Sequence, residues 1–210
     1  MSEKNQEKEQ KQIHLDKLKQ KIQSELVCPL KDAATNMVFG KGNPNAQILI
    51  IGEAPGANED LQGIPFVGKA GKNLDSFLNL INLTLDEVYV ANILKYRPPK
   101  NRNPLIEEIK NHTPYLVEQI KIIQPKVILP LGKFATEFCL AEFDTTKIKT
   151  IAMGNVHGQV YKIKKDNQEI TIIPMYHPAA MIYNQKLKTT LEEDFIKVGN
   201  YLGLKVKQTL

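Results

Sequence analysis

Gln47–Gly52 reads QILIIG, four apolar side chains in a row closed by a glycine. A short unbroken apolar run bounded by a turn signal marks a strand buried on both faces, as in a parallel sheet. Two more such runs follow, Glu87–Ile93 (EVYVANI) and Lys126–Leu131 (KVILPL). Between them lie helical patterns. Gly71–Leu83 carries Leu74, Phe77, Leu78 and Ile81 at helix spacing. Pro104–Ile123 opens with Asn103 as N-cap and proline at the first helical position, then continues with Ile109, Leu116, Ile120 and Ile123. Strand, helix, strand, helix, strand predicts a doubly wound α/β sheet. Further along, Val156–Ile163 and Glu169–Pro174 read as two strands joined by the turn Lys164–Gln168, and Thr190–Leu202 as a closing helix. Upstream, Leu15, Leu18, Ile22 and Leu26 predict an amphipathic helix within Ile13–Leu26. Residues 1–12 are almost wholly polar, so a disordered tail is expected there, with one domain over 13–205.

Of the 210 residues 42% are hydrophobic, which suits a real core and excludes wholesale disorder. No apolar stretch approaches the roughly 20 residues that span a bilayer. The Glu- and Lys-rich start lacks the apolar segment of a secretory signal. An intracellular, cytoplasmic protein with no membrane attachment is expected. The two cysteines, Cys28 and Cys139, stand far apart and read as free thiols of a reducing compartment. The net charge of +5 is compatible with nucleic acid but is weak evidence alone.

In open α/β sheets ligands bind beyond the carboxyl ends of the strands, so the segments following each strand carry the functional information. After the first strand comes Gly52-Glu53-Ala54-Pro55-Gly56, then Ala57-Asn58-Glu59-Asp60, a tight turn whose backbone N–H groups can bind an anion or a carbonyl oxygen. Next, Gly63–Lys72 holds Phe66 between proline and valine-glycine, where its ring can stack on a base. The Gly68–Lys72 part looks like a phosphate cradle but lacks the spacing of a nucleoside-triphosphate loop. Asn92 ends the second strand, and its amide offers the donor and acceptor that match the imide edge of uracil. Four cations follow, Lys95, Arg97, Lys100 and Arg102, in a proline-stiffened loop suited to phosphate contacts. Finally His177, followed by Pro178-Ala179-Ala180, sits at the end of the last strand, with apolar Met181 and Ile182 beyond it in the manner of a wedge entering a base stack.

G-E-A-P-G-x-x-E-D, G-x-P-F-V-G-x-A-G, N-x-x-K-x-R-P-P-x-N-R-x-P and H-P-A-A, in this order, resemble the motifs of family-4 uracil-DNA glycosylases from about Cys28 to about Phe195. The resemblance implies a three-layer α/β/α sandwich around a mostly parallel sheet of four to five strands. It implies a monofunctional enzyme of base excision repair that flips uracil out of single- or double-stranded DNA and hydrolyses its bond to the sugar, acting as a monomer. Phe66 would stack on the base and Asn92 would read it. Glu59 would crowd its C5 position, and His177 with the backbone of Glu53, Ala54 and Gly56 would hold its O2. Glu53 is also the candidate for orienting water or stabilising the sugar cation. Lys69, Lys72, Arg97, Lys100, Arg102, Met181 and Ile182 would contact DNA.

The chain departs from the family at the four cysteines that hold a four-iron, four-sulfur cluster. Those positions read Glu25, Cys28, Tyr96 and His112, so no cluster is expected. Packing of Tyr96 against the N-terminal helix is one replacement; a zinc ion on Glu25, Cys28 and His112 is another. Tyr183 stands where the family carries a cation. The alternatives to a uracil-DNA glycosylase are a non-catalytic uracil-DNA or DNA-binding module on the same scaffold and, less well matched, a nucleotide-binding enzyme of another kind.

Overall fold

The computed structural model describes residues 3–166 and 168–207; the side chains of residues 4, 182 and 183 lie outside that description. In chain order the elements are α1 (Glu3–Glu25), α2 (Pro29–Ala33), β1 (Lys41–Gly42), β2 (Ile48–Gly52), α3 (Ala57–Gln62), α4 (Lys69–Leu80) and β3 (Tyr89–Asn92). There follow α5 (Ile106–Ile123), β4 (Val127–Pro130), α6 (Lys133–Leu140), β5 (Tyr161–Lys165), β6 (Gln168–Ile172), α7 (Ala180–Tyr183) and α8 (Lys186–Tyr201).

The strands form one six-stranded sheet in the order β1-β3-β2-β4-β6-β5. Its centre, β3-β2-β4-β6, is parallel, while β1 and β5 pair antiparallel at the two edges. The sheet thus has more strands than the expected four to five, because the two-residue β1 adds an edge too short to show as a sequence pattern.

Side chains alternate across a strand, and β2 feeds two cores. Leu49 and Ile51 join α1, α5 and α6 on one face, in a cluster with Leu15, Ile22, Leu116 and Phe138. Ile48 and Ile50 join α4 and α8 on the other, with Leu74, Phe77 and Phe195. These two cores make the three layers.

Several boundaries differ from the sequence expectation. Helix α1 begins at Glu3, so the polar stretch expected to be disordered is helical where it is described; Met1 and Ser2 lie outside the described residues. The buried stripe Leu15, Leu18 and Ile22 anchors the helix, Lys11 reaches the Ile123 carbonyl, and Glu, Lys and Gln propagate a nucleated helix readily. Helix α5 starts at Ile106 with Leu105 at the cap, two residues beyond the expected Asn103. Glu108 sets that start by accepting the Leu105 N–H at 2.8 Å. The strand expected from Val156 begins only at Tyr161. Gly158 is left-handed (φ 66°) and donates to the Pro174 carbonyl, which bends the chain before the strand. The following hairpin is tighter than expected, with strand pairing running to Lys165 and resuming at Gln168.

No helix among the described residues is long and apolar enough to cross a membrane.

Candidate active site

The chain passes from β2 to β3 on one side and to β4 on the other, so the strand order reverses at β2. A crevice opens above the carboxyl ends at such a point. Here it is a cleft of about 450 Å³ lined by Glu53, Ala54, Gly56, Glu59, Phe66, Asn92, Arg102 and His177, among others. Residues from four separate segments of the sequence therefore meet in one place.

Gly52 ends β2 and pairs with Asn92 at the end of β3. A methyl group at position 52 would collide with the Asn92 Oδ1 and the Phe66 ring. The absence of a side chain is what lets both residues reach the cleft. Phe66 is buried, in a left-handed backbone conformation (φ 54°), and its ring stacks on that of His177 with centroids 6.0 Å apart. The Phe66 backbone in turn lies against Gly71, where a side chain would overlap it.

Asn92 is 3% exposed. Its side-chain amide makes no hydrogen bond among the described residues, which leaves a donor and an acceptor for whatever enters the cleft. A buried amide normally finds partners, so an unengaged one at a cleft wall indicates a ligand.

His177 is held by its own loop. The Ala179 N–H donates to Nδ1 at 3.1 Å, so in the neutral ring Nε2 carries the proton. Burial pulls the imidazole down to about 4, with the Glu59 carboxylate acting in the opposite sense. At neutral pH the ring is an uncharged donor. Gly132, left-handed at φ 83°, lies against the His177 Cβ, and Asn73 of α4 donates to the Pro178 carbonyl at 3.3 Å. Neither of these two supports has a distinctive local pattern in the sequence.

Among the described residues no cation is placed to hold Glu53 ionised, and burial pushes its carboxyl up to about 7. Glu59 accepts the Gly68 N–H at 2.8 Å and so joins the turn after β2 to the turn before α4. Asp60, the third carboxylate of that segment, faces away from the cleft and accepts the backbone N–H groups of Thr35 and Asn36.

The expected phosphate-contacting cations divide. Lys69, Lys72 and Lys100 are exposed. Arg97 is half-buried and donates to Asn101 at 2.7 Å. Arg102 lines the cleft, but its guanidinium is bidentate on Glu108. Lys95 departs altogether from the sequence expectation of a loop cation: it is fully buried, because the chain turns it inward onto the carbonyls of Phe39 and Asn92 and the side chain of Gln119. The apolar Ile93 and Leu94 just before it are the signal that could have marked the segment as interior. Met181 is half-buried against the α4–α8 core, and the Ile182 side chain lies outside the described residues.

A family-model match covers residues 39–200 and is described as the uracil DNA glycosylase superfamily. The chain belongs to this superfamily. It is 42% identical over 191 residues to a type-4 uracil-DNA glycosylase of Archaeoglobus fulgidus, covering 91% of this chain and 94% of the relative. Type-4 enzymes of Sulfurisphaera tokodaii and Saccharolobus solfataricus are similar at 42% and 40% identity, over 88% and 91% of this chain and 83% and 88% of theirs.

The iron–sulfur cluster associated with type-4 members does not fit the residues here. Of the corresponding positions only Cys28 is a thiol, and it is buried, with burial raising its pKa. Tyr96 lies with its ring edge-on to His112, centroids 6.2 Å apart, in the same core cluster as Ile22 of α1 and Leu26 just after it. The His112 Nδ1 is already used, accepting the Lys95 N–H at 2.9 Å. Cys139 lies in α6 and is buried. Among the described residues no group of three or more His, Cys, Asp or Glu side chains is placed to hold a metal, which also leaves the zinc alternative on Glu25, Cys28 and His112 without support.

Proposed function

We propose that this chain removes uracil from DNA as a monofunctional glycosylase of base excision repair. The observation that carries the reading is the buried Asn92 amide, unengaged within the described structure and sharing a cleft with Phe66 and His177. Uracil presents an N3–H donor and an O4 acceptor, and one amide answers both. Cytosine, with an acceptor at N3 and a donor at N4, would leave mismatched groups in a dry site, which costs far more than a missing contact.

The base is flipped into the cleft and its face lies on Phe66. The bond between the sugar C1′ and uracil N1 breaks, and its electron pair leaves with the base as uracilate. Positive charge grows on the sugar and negative charge on the uracil oxygens. The neutral His177 Nε2–H donates toward O2, and the N–H groups of the Glu53–Gly56 turn assist. A preorganised donor of this kind lowers the barrier by roughly 3–4 kcal/mol. Ionised Glu53 faces the sugar cation and orients the water that adds to C1′; the water's proton passes to the Glu53 carboxylate and from there to the uracilate, leaving free uracil and an abasic site. No lysine lines the cleft among the described residues, which favours hydrolysis over Schiff-base chemistry and strand cleavage. Exposed Lys69, Lys72 and Lys100 supply salt-sensitive phosphate contacts, with Met181 at the wedge position beside the flipped base. The enzyme acts as a monomer and without a cluster.

The test is release of uracil from a single-uracil oligonucleotide, with metal content read on the same preparation. Uracil release, an unnicked abasic product and substoichiometric iron and zinc are expected. Tight uracil-DNA binding with no release would replace the reading by that of a non-catalytic module.

A further inference from the structure

Lys95 has no place in the chemistry above, yet it is among the most completely enclosed side chains of the molecule, at 0% exposure. Its Nζ donates to the Asn92 carbonyl at 2.9 Å, to Gln119 Oε1 at 2.6 Å and to the Phe39 carbonyl at 3.4 Å. Burial pulls the Lys95 amine down to about 7, so near neutral pH it is only partly protonated, and every acceptor around it is neutral. No carboxylate forms an ion pair with it among the described residues. Burying a polar head group in this way is costly, and a nonpolar side chain of similar length would fill the same space without that cost.

What the buried amine gains is control over one carbonyl. Asn92 is the last residue of β3, and beyond it the ladder is continued by Ile93 and Leu94 donating to Gly52 and Glu53. The Asn92 carbonyl instead turns to Lys95 Nζ. The lysine is fixed from the far side by α5: Gln119 accepts from Nζ while its own amide donates to the Phe39 carbonyl at 3.0 Å. The Lys95 backbone is pinned to the same helix through His112. The backbone of Asn92 is thereby tied to α5 through Lys95 Nζ, at 2.9 Å from the Asn92 carbonyl and 2.6 Å from Gln119 Oε1, while its side chain is left without a partner among the described residues to orient it.

We propose that Lys95 is a positioning residue of the uracil site, which holds the Asn92 backbone so that the amide meets the base in one orientation. This rests on the reading of Asn92 as the group that recognises uracil. The alternative is a brace for the fold that has no influence on the chemistry of a folded molecule.

A double-mutant cycle separates the two. Single-turnover uracil release is measured for wild type, Lys95→Met, Asn92→Ala and the double variant, at a temperature where circular dichroism shows each to be folded. Lys95→Met is expected to slow release roughly 10- to 100-fold, as sub-ångström to 1 Å misplacement does, with DNA binding within a few-fold of wild type. In the Asn92→Ala background the same change is expected to have little further effect, because the group it positions is gone. Losses that multiply across the cycle, or a wild-type rate per folded Lys95→Met molecule, overturn the proposal. If Lys95→Met does not fold, Gln119→Leu takes its place in the cycle, since it removes the acceptor that fixes the amine, and the same two patterns decide. Failure of the wild type to release uracil would count instead against the glycosylase reading.

Discussion

His177 and His112 are the same device in two regions. Each imidazole accepts a backbone N–H at Nδ1, from Ala179 at 3.1 Å and from Lys95 at 2.9 Å. Each is pulled down to about 4 by burial, and each therefore carries its proton on Nε2. The difference is what Nε2 faces. In His177 it belongs to a ring lining the cleft beside Phe66. In His112 it is sealed in the core without a hydrogen-bond partner among the described residues. The two rings share tautomer and a downward shift; only the open side makes one of them a candidate for chemistry.

The largest expected effect tests that contrast directly. His177→Ala should slow single-turnover uracil release roughly 10²- to 10³-fold, the range seen on removing one preorganised donor, with little change in thermal stability. A loss of melting temperature with release intact would assign His177 to structure. Next, Glu53→Gln should reduce release about a hundredfold at pH 8. The raised carboxyl is ionised only above about 7, so wild-type activity should climb between pH 6 and 8 and the variant's profile should be flat across that window. A climb that survives in the variant assigns the titration to another group.

His112→Ala should show the reverse of His177→Ala. It leaves the buried Lys95 N–H without an acceptor, a cost of about 1–3 kcal/mol seen in the denaturant midpoint, and changes release per folded molecule far less. Acid sharpens this. The unfolded histidine binds a proton near 6.5 and the folded one only near 4, so between those values the unfolded state holds more protons and stability falls as pH falls. The variant should lose less stability than wild type over that window; an unchanged slope would mean that His112 does not stay neutral in the fold. The smallest effect concerns the cations. Lys69→Ala should reduce the salt slope of DNA binding by about one, whereas Arg102→Ala, whose guanidinium is taken by Glu108, should leave the slope nearly unchanged and lower stability. Equal slopes for both would return Arg102 to the phosphate contacts.

Much of this is legible in the chain itself. The three apolar runs become β2, β3 and β4 because a strand buried on both faces has no polar side to show, and that pattern is local. The residues at and beyond the ends of those strands, Asn92, Glu53 and Phe66, with His177 after the last, are legible as a site because a parallel sheet brings its carboxyl ends together whatever lies between. The early start of α1 and the late start of α5 are not, since each depends on a contact with a residue the local pattern does not contain or rank: Ile123 for one, Glu108 for the other.

What the sequence by itself determined is the sheet order's raw material, the identity of the cleft-lining residues Glu53, Phe66, Asn92 and His177, and a chain with only two cysteines. Only the tertiary structure decided the direction each polar side chain takes. Lys95 and Lys100 stand in one loop and have the same chemistry, yet one is enclosed beneath Asn92 and the other is in water. Residue type fixes what a side chain can bond, but direction depends on acceptors brought from Phe39 and Gln119, tens of residues away, and no local pattern carries that information.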